Sequence, residues 1–317
     1  MLFVLPLSGA LSALMLLFSF AATYLIIRFF SRFLPRDRGR ELAFEGEKSR
    51  GKYTSTGILF VTGFAVISVI ALRLPLEHML YIAAILFEMV MGYLDDNAKK
   101  PWGELRKGLM DGVAAAFVAV VYIAYNGNTI LLPVLGLSVN MPAPLLFVLI
   151  VALVWAAVNV TNITDGVDGL SSTLGSVTLL AMLAAGYKLG TLHVFGPVIL
   201  VFLGALLCYL WFNMSPGTHL MGDAGSRAMG TLFAVSVLQL KAPFLFVPFA
   251  LVFILDGGSS LVKLTVLRLL KRKGFMGGIR TPLHDHVRKN IRWSDAQTVL
   301  RFAIIQLLVS VSTLLLF

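Results

Sequence analysis

Apolar residues run through the chain in long blocks, each bounded by a short polar segment. About ten blocks approach the roughly 20 residues (about 17 at the short end) that a helix needs to cross a bilayer. They lie near 3–27, 56–74, 78–94, 108–126, 143–161, 170–188, 195–213, 226–240, 243–268 and 299–317. The 226–240 block is short and carries Arg227 and Gly230. The first block is too long for the apolar core of a secretory leader and has no basic residues before it, so a true span is expected. With no internal repeat and loops too short for a soluble module, the pattern predicts a single all-α polytopic membrane domain over 1–317, with about ten transmembrane helices.

Composition agrees: 58% of the 317 residues are hydrophobic, 13% are charged, and mean hydropathy is +0.88. The lone Cys208 excludes a disulfide framework. Charge sharpens the picture more. Of 26 Lys and Arg residues, all but Arg73, Lys188 and Lys241 fall on the side reached after the first span. The positive-inside rule makes that side cytoplasmic and both termini extracytoplasmic. Of the 16 acidic residues, all but Glu77 and Glu88 lie on or next to the same side. Carboxylates and cations crowded at one boundary predict a cytoplasmic site that handles something anionic, built on loops between spans.

The polar segments carry the candidate chemistry. "MGYLDDNAKKPWGELRK" ends the third span on Asp95 and Asp96 and follows with Lys99, Lys100, Arg106 and Lys107. This is either a solvated helix end or the oxygen ligands and ammonium groups of a magnesium and phosphate site. "NVTNITDGVDGLSS" packs Asn159, Asn162, Asp165 and Asp168 into the end of the fifth span and a very short connection. Helix capping accounts for one or two such groups, not for all of them. The asparagines, three apart, fall on neighbouring positions of one helix face. "FNMSPGTHLMGDAGSRAMG" presents Asp223 beside a helix start, next to Asn213 at the end of the preceding span. In "GIRTPLHDHVRKNIRWSDAQTVLRF", His284 and His286 are a poor metal pair at i, i+2 and serve better, with Arg280, as phosphate contacts. His78, His193 and His219 read as loop or interface residues.

In order, an acidic pair after span three, "NxxNxxDGxDGL" after span five, "MGDxGS" after span seven and a histidine loop before the last span resemble the polyprenyl-phosphate N-acetylhexosamine-1-phosphate transferases over nearly the whole chain. "PLHDH" followed by "WSDAQTVLRF" is similar to the Pro-x-His-His-His and Trp-Ser-Glu-x-Lys-Val-x-x-Arg-Phe of the branch that handles MurNAc-pentapeptide. The chain departs from the family pattern at four places. Asp285 stands for the middle histidine, and one extra residue separates His286 from Trp293. "GKYTSTG" replaces Gly-Thr-Pro-Thr-Met-Gly-Gly but keeps Thr54, and Leu220 stands where an aromatic is expected. An ionised Asp285 can only accept hydrogen bonds, so it is expected to turn away or to orient a neighbouring His or Arg.

The resemblance implies a bacterial inner-membrane enzyme. It would take UDP-MurNAc-pentapeptide as donor, undecaprenyl phosphate as acceptor and Mg²⁺ as cofactor, and give lipid I and UMP. The bilayer is its surroundings, a homodimer is allowed, and no nucleic-acid partner is expected. Asp223 is the first choice as Mg²⁺ ligand, with Asp95 or Asp96 beside it. The resemblance gives Asp95 the acceptor's proton. Asn159, Asn162, Asp165, Asp168, Asn213 and Thr54 would bind donor or water, and Lys99, Lys107, Arg280, His284 and His286 would contact phosphates. A sister enzyme using UDP-GlcNAc is the nearest alternative. A transporter would place its polar groups near the midplane of repeated halves, unlike the one-sided pattern here.

Overall fold

The computed structural model describes residues 9–37, 39, 46–100, 102–192, 195–272 and 274–317. The long helices are α1 (Gly9–Phe30), α2 (Gly57–Ala71), α3 (Leu76–Asp96), α4 (Glu104–Asn126), α5 (Ala143–Thr164), α6 (Leu170–Leu189), α7 (Gly196–Asn213), α8 (Gly222–Gln239), α10 (Leu251–Leu269) and α12 (Asp295–Leu315). Two short helices, α9 (Phe246–Phe249) and α11 (Leu283–Lys289), precede α10 and α12.

Each of the ten apolar blocks is mainly helical where it is described, with a break at Ala250 in the ninth; residues 3–8 of the first lie outside the described residues. Seven helices are long and apolar enough to cross a membrane, and an eighth span results if Pro243–Phe249 and Leu251–Leu269, bent by 89°, count as one. The expectation of about ten spans is therefore met in helices rather than in spans that qualify by length and composition. The shortfall has a physical reason. α2 has only 15 residues, and α8 carries Gly222, Asp223 and Arg227. Yet α8 is buried along almost its full length, packed by α2, α3 and α5, so its polar residues face protein and not lipid. α1 and α12, by contrast, expose Leu14, Leu17, Phe18, Leu307 and Leu308, as helices bordered by lipid do.

Among the described residues, the one sheet in an otherwise helical chain is a hairpin, β1 (Thr129–Leu132) paired antiparallel with β2 (Leu137–Asn140), between α4 and α5. It closes the end of the bundle opposite the polar connections and is tied to the α8 terminus by Leu131 N–H donating to Lys241 O at 2.6 Å.

Because successive helices reverse direction, α1, α3, α5, α7 and α10 end where α2, α4, α6, α8 and α12 begin. Close packing fixes the position of the α8 start. A Cβ on Gly92 of α3 would lie 2.4 Å from the Asp223 carbonyl, so only glycine lets the two backbones meet there. Gly222, at φ +67°, makes the turn into α8 directly against Asp96. At the last of these connections, α12 starts on a capping box, with Ser294 accepting from Gln297 N and Gln297 returning to the Ser294 amide.

Candidate active site

The five connections at the polar end surround one cleft of about 1230 Å³, larger than the roughly 300–1,000 Å³ of ordinary small-molecule sites. Asp95, Asp96, Asp165, Asp168 and Asp223 all line it, as do Thr54, Lys99, Lys107, Asn162, Asn213, Arg280 and His284. Groups spread from Thr54 to His284 in sequence are thereby brought together.

Asp223 is the centre of the deepest part. Its Oδ1 accepts from Asn162 Nδ2 at 2.9 Å and its Oδ2 from Lys107 Nζ at 3.2 Å. Lys107 also pairs with Asp95, whose other oxygen accepts from Trp102 N–H at 2.7 Å. Asp96 plays a different part, accepting from Asp223 N–H (3.1 Å), Ala224 N–H (3.4 Å) and Ser55 Oγ (2.9 Å). A carboxylate from α3 therefore caps α8, where free amides and the helix dipole favour negative charge.

Among the described residues, no three His, Cys, Asp or Glu side chains are disposed to hold a metal between themselves. Lys107 stands between Asp95 and Asp223, where a shared metal was expected. The donor set fits a small hard cation in another way: Mg²⁺ takes one or two carboxylates and completes its shell with water and substrate phosphates. The side chain of Asp223 is 23% exposed and that of Asp95 4%, so Asp223 is the carboxylate of the two that is more open to the cleft.

Around this centre, Asp168 accepts from Lys52 Nζ at 2.5 Å and from Gly217 N–H at 3.0 Å, joining three connections. Asp165 accepts from Ser171 Oγ at 2.5 Å. Asn213 works as a tie, accepting from Gly169 N–H at 2.8 Å and donating to His219 O at 2.8 Å. Lys99 is exposed. His284 is buried, with Nδ1 2.7 Å from Asp256 Oδ2 and its own N–H donating to Asp256 Oδ1 at 2.7 Å. The carboxylate fixes the ring, with its Nε2 edge packed on Gly166. Asp285 lies among Arg280 (3.9 Å), Arg288 (3.6 Å) and His284 (3.8 Å), and so takes the orienting position of the two expected for it.

Two expected site residues are not in the cleft. Asn159 sits one helical turn deeper than Asn162 and donates to Asp111 Oδ2 at 3.0 Å and to Trp155 O. His286 does not line the cleft and accepts from Arg280 N–H at 3.2 Å through Nδ1, because two positions along a helix point to opposite sides. Of the remaining histidines, His78 is held by Gln239 at the far end, at 3.1 Å. His219 packs between Tyr53 and Phe212 with Nε2 2.8 Å from Ser31 Oγ. Burial and the nearby Arg36 push His219 down to about 4, so it is neutral at pH 7. His193 lies outside the described residues.

Sequence reasoning missed Lys52 and Asp256. Asp256 carried a signal: a carboxylate inside the apolar run "FILDGGSS" calls for a partner or a function. Lys52 had none beyond its place in the Thr54 loop.

Residues 78–241 match the model of the family described as glycosyl transferase family 4. Curated relatives are similar over most of the chain. A phospho-N-acetylmuramoyl-pentapeptide-transferase of Treponema pallidum is 36% identical over 316 residues, covering 93% of this chain and 86% of its own length. Proteins of that name from Clostridium botulinum and a Wolbachia species are each 27% identical, covering 86% and 81% of this chain and 86% and 82% of their own lengths.

Proposed function

The chain belongs to glycosyl transferase family 4, and on that premise we propose that it transfers phospho-MurNAc-pentapeptide from UDP-MurNAc-pentapeptide to undecaprenyl phosphate, giving lipid I and UMP in peptidoglycan synthesis. The observation that carries the reading is the Asp95–Lys107–Asp223–Asn162 cluster, set in a large cleft at one end of a bundle of apolar helices. A lipid acceptor requires an enzyme in the bilayer, and a charged nucleotide donor requires a site open to water. In the sequence, 23 of the 26 Lys and Arg residues fall in or next to the connections on the cleft's side of the spans, and on the positive-inside rule we infer that this side is the cytoplasmic face of the bacterial inner membrane, with both termini outside.

The acceptor phosphate, with a second pKa of about 6, is mostly dianionic at neutral pH and needs little base catalysis. The obstacle is its approach to an anionic pyrophosphate, in line with the UMP leaving group. Lys107, half-buried between Asp95 and Asp223, puts a fixed cation at that meeting point, and Lys52 and Arg280 line the same cleft. Bond formation to the acceptor oxygen and departure of UMP both gather charge that these cations offset. Asp95 anchors the Lys107 ammonium at the cleft floor, and any proton the acceptor still carries would have to pass to the Asp95 carboxylate itself, since an ammonium accepts none. Asp256 holds His284 with Nδ1 inward, fixing the ring against Gly166 in the cleft wall. Mg²⁺ bound at Asp223 would supply further charge neutralisation on the phosphates. Asp165, Asp168 and Asn162 remain for the sugar, the uridine and water.

Donor choice tests this reading. Purified protein with undecaprenyl phosphate and Mg²⁺ is expected to release UMP from UDP-MurNAc-pentapeptide at least about tenfold faster than from UDP-GlcNAc, a difference of about 1.4 kcal/mol. Equal use of both donors would reassign the chain to the GlcNAc-1-phosphate transferases. The His284 arrangement is tested separately. Asp256→Asn keeps the shape but loses the charge that orients the ring, and carboxylates in that role are commonly worth about 10- to 100-fold. Turnover by Asp256→Asn is expected to fall at least about tenfold; parental turnover would mean that His284 needs no orientation from α10.

A further inference from the structure

One turn beneath the cleft lies a buried ionic cluster to which the transfer as proposed gives no role. Arg227 of α8 donates through Nε to Glu88 Oε2 of α3 at 3.1 Å and through a terminal nitrogen to Asp111 of α4. Asp111 also accepts from Asn159 of α5 at 3.0 Å. The side chains of Arg227, Glu88 and Asp111 are 3%, 0% and 3% exposed, and Glu88 Oε1 is buried with no hydrogen-bond partner among the described residues. Stability is a poor reason for such a cluster. Desolvating each ion costs several kcal/mol, and a well-packed apolar set of similar volume is often at least as stable.

Its register with the cleft is more informative. Lys107 is four residues before Asp111, Asp223 four before Arg227, and Asn162 three after Asn159. Helices α4, α5 and α8 thus each carry one residue of the cleft floor and, a turn deeper on the same face, one residue of the cluster. The charges alternate both ways. Above, the Asp223 anion meets Lys107 and Asn162; below, the Arg227 cation meets Asp111 and Glu88. Lys107, Asp111, Asp223 and Arg227 therefore each have an opposite charge across the helices and another along their own helix, while Glu88 of α3 meets Arg227. Without Arg227, two buried carboxylates would remain directly under Asp223, at the place where the anionic substrates gather.

We propose that Arg227 is a positioning residue for the transfer: gripped by Glu88 and Asp111, it holds α3, α4 and α8 in the register that brings Lys107 to Asp223, and it offsets the buried negative charge beneath them. This rests on the cleft being the transfer site.

The test compares Arg227→Met, Arg227→Lys and the neutral triple variant Glu88→Gln/Asp111→Asn/Arg227→Met, reading thermal unfolding in detergent, kcat, and KM for UDP-MurNAc-pentapeptide. Arg227→Met is expected to lose at least about tenfold in kcat, since a small misplacement of reacting groups costs one to two orders of magnitude. Donor KM should move less than about threefold, because the cluster does not line the cleft. Arg227→Lys should regain part of the lost kcat. The triple variant, with no uncompensated charge, should unfold near the parental temperature while its kcat stays about tenfold low. Parental kcat in the triple variant, or in Arg227→Met, would overturn the proposal and leave the cluster a purely structural element. Should the triple variant not fold, equal kcat per folded molecule in Arg227→Lys and Arg227→Met would overturn it equally. A parental protein that releases no UMP would instead sink the transfer reading itself.

Discussion

Asp223→Asn is expected to lower UMP release at least about a hundredfold, close to 2.7 kcal/mol of transition-state stabilisation, with the fold intact. The fold should survive because the α8 start is capped by Asp96 and not by Asp223. The amide oxygen can still accept from Asn162, so the local shape is kept. What disappears is the charge of the more exposed of the two carboxylates that Lys107 bridges, together with the attraction for Lys107, which would face an amide nitrogen or a neutral oxygen instead. Of the two carboxylates beside it, Asp96 is engaged by three donors and Asp95 is nearly closed off, so neither replaces Asp223 as a ligand for a hard cation. Chelation of divalent metal should therefore reproduce the loss in the parental protein, and added Mg²⁺ should reverse it. Unfolding temperature measured beside turnover separates the two effects. Parental turnover in Asp223→Asn would remove the metal site from the mechanism.

The ten helices were legible because a bilayer-facing chain must run apolar for many residues at a time, and polar interruptions in such a chain mark its connections. That logic fails for α8 in an informative way. Arg227 and Gly230 made its block look weak as a span, yet a helix enclosed by α2, α3 and α5 is released from the demands of lipid and answers to its neighbours' side chains. Periodicity along one helix cannot reveal that enclosure. The hairpin between α4 and α5 escaped for another reason: its two four-residue strands lie in the connection between the 108–126 and 143–161 blocks, and runs that short carry no periodicity that marks them as an element.

In the site, the aspartates were legible because each stands where an apolar run stops. Depth was not. Asn159 and Asn162 share a face, but only the three-dimensional position of the cleft floor makes one a neighbour of Asp223 and the other a neighbour of Asp111. His284 and His286 could be separated from sequence by the half-turn between i and i+2, and the structure separates them by it. Asp256 and Arg227 were visible as charges inside apolar runs. Their partners, His284 for one and Glu88 with Asp111 for the other, come from distant segments, so the meaning of the charge had to wait for the packing.

The other large effect is expected at Lys107. Lys107→Met should reduce kcat at least about a hundredfold, because a single fixed charge at a developing anion is commonly worth that much in a partly closed site. Its ammonium bridges Asp95 and Asp223, with a third of the side chain still open to the cleft at 32% exposure. It can therefore lean from the carboxylates to an arriving phosphate without leaving the cluster. Methionine fills the stem's volume but leaves Asp95 and Asp223 to repel each other across the gap. Arginine keeps the charge, yet its planar fork is wider than an ammonium point charge and does not fit between two carboxylates already bridged so closely, so Lys107→Arg should recover little. Donor KM and kcat measured for both variants decide the matter. If Lys107→Met keeps turnover within about tenfold of the parent, Lys107 is only a counter-ion for Asp95, and the work of joining two anions falls to Lys52 and Arg280 on the opposite connections.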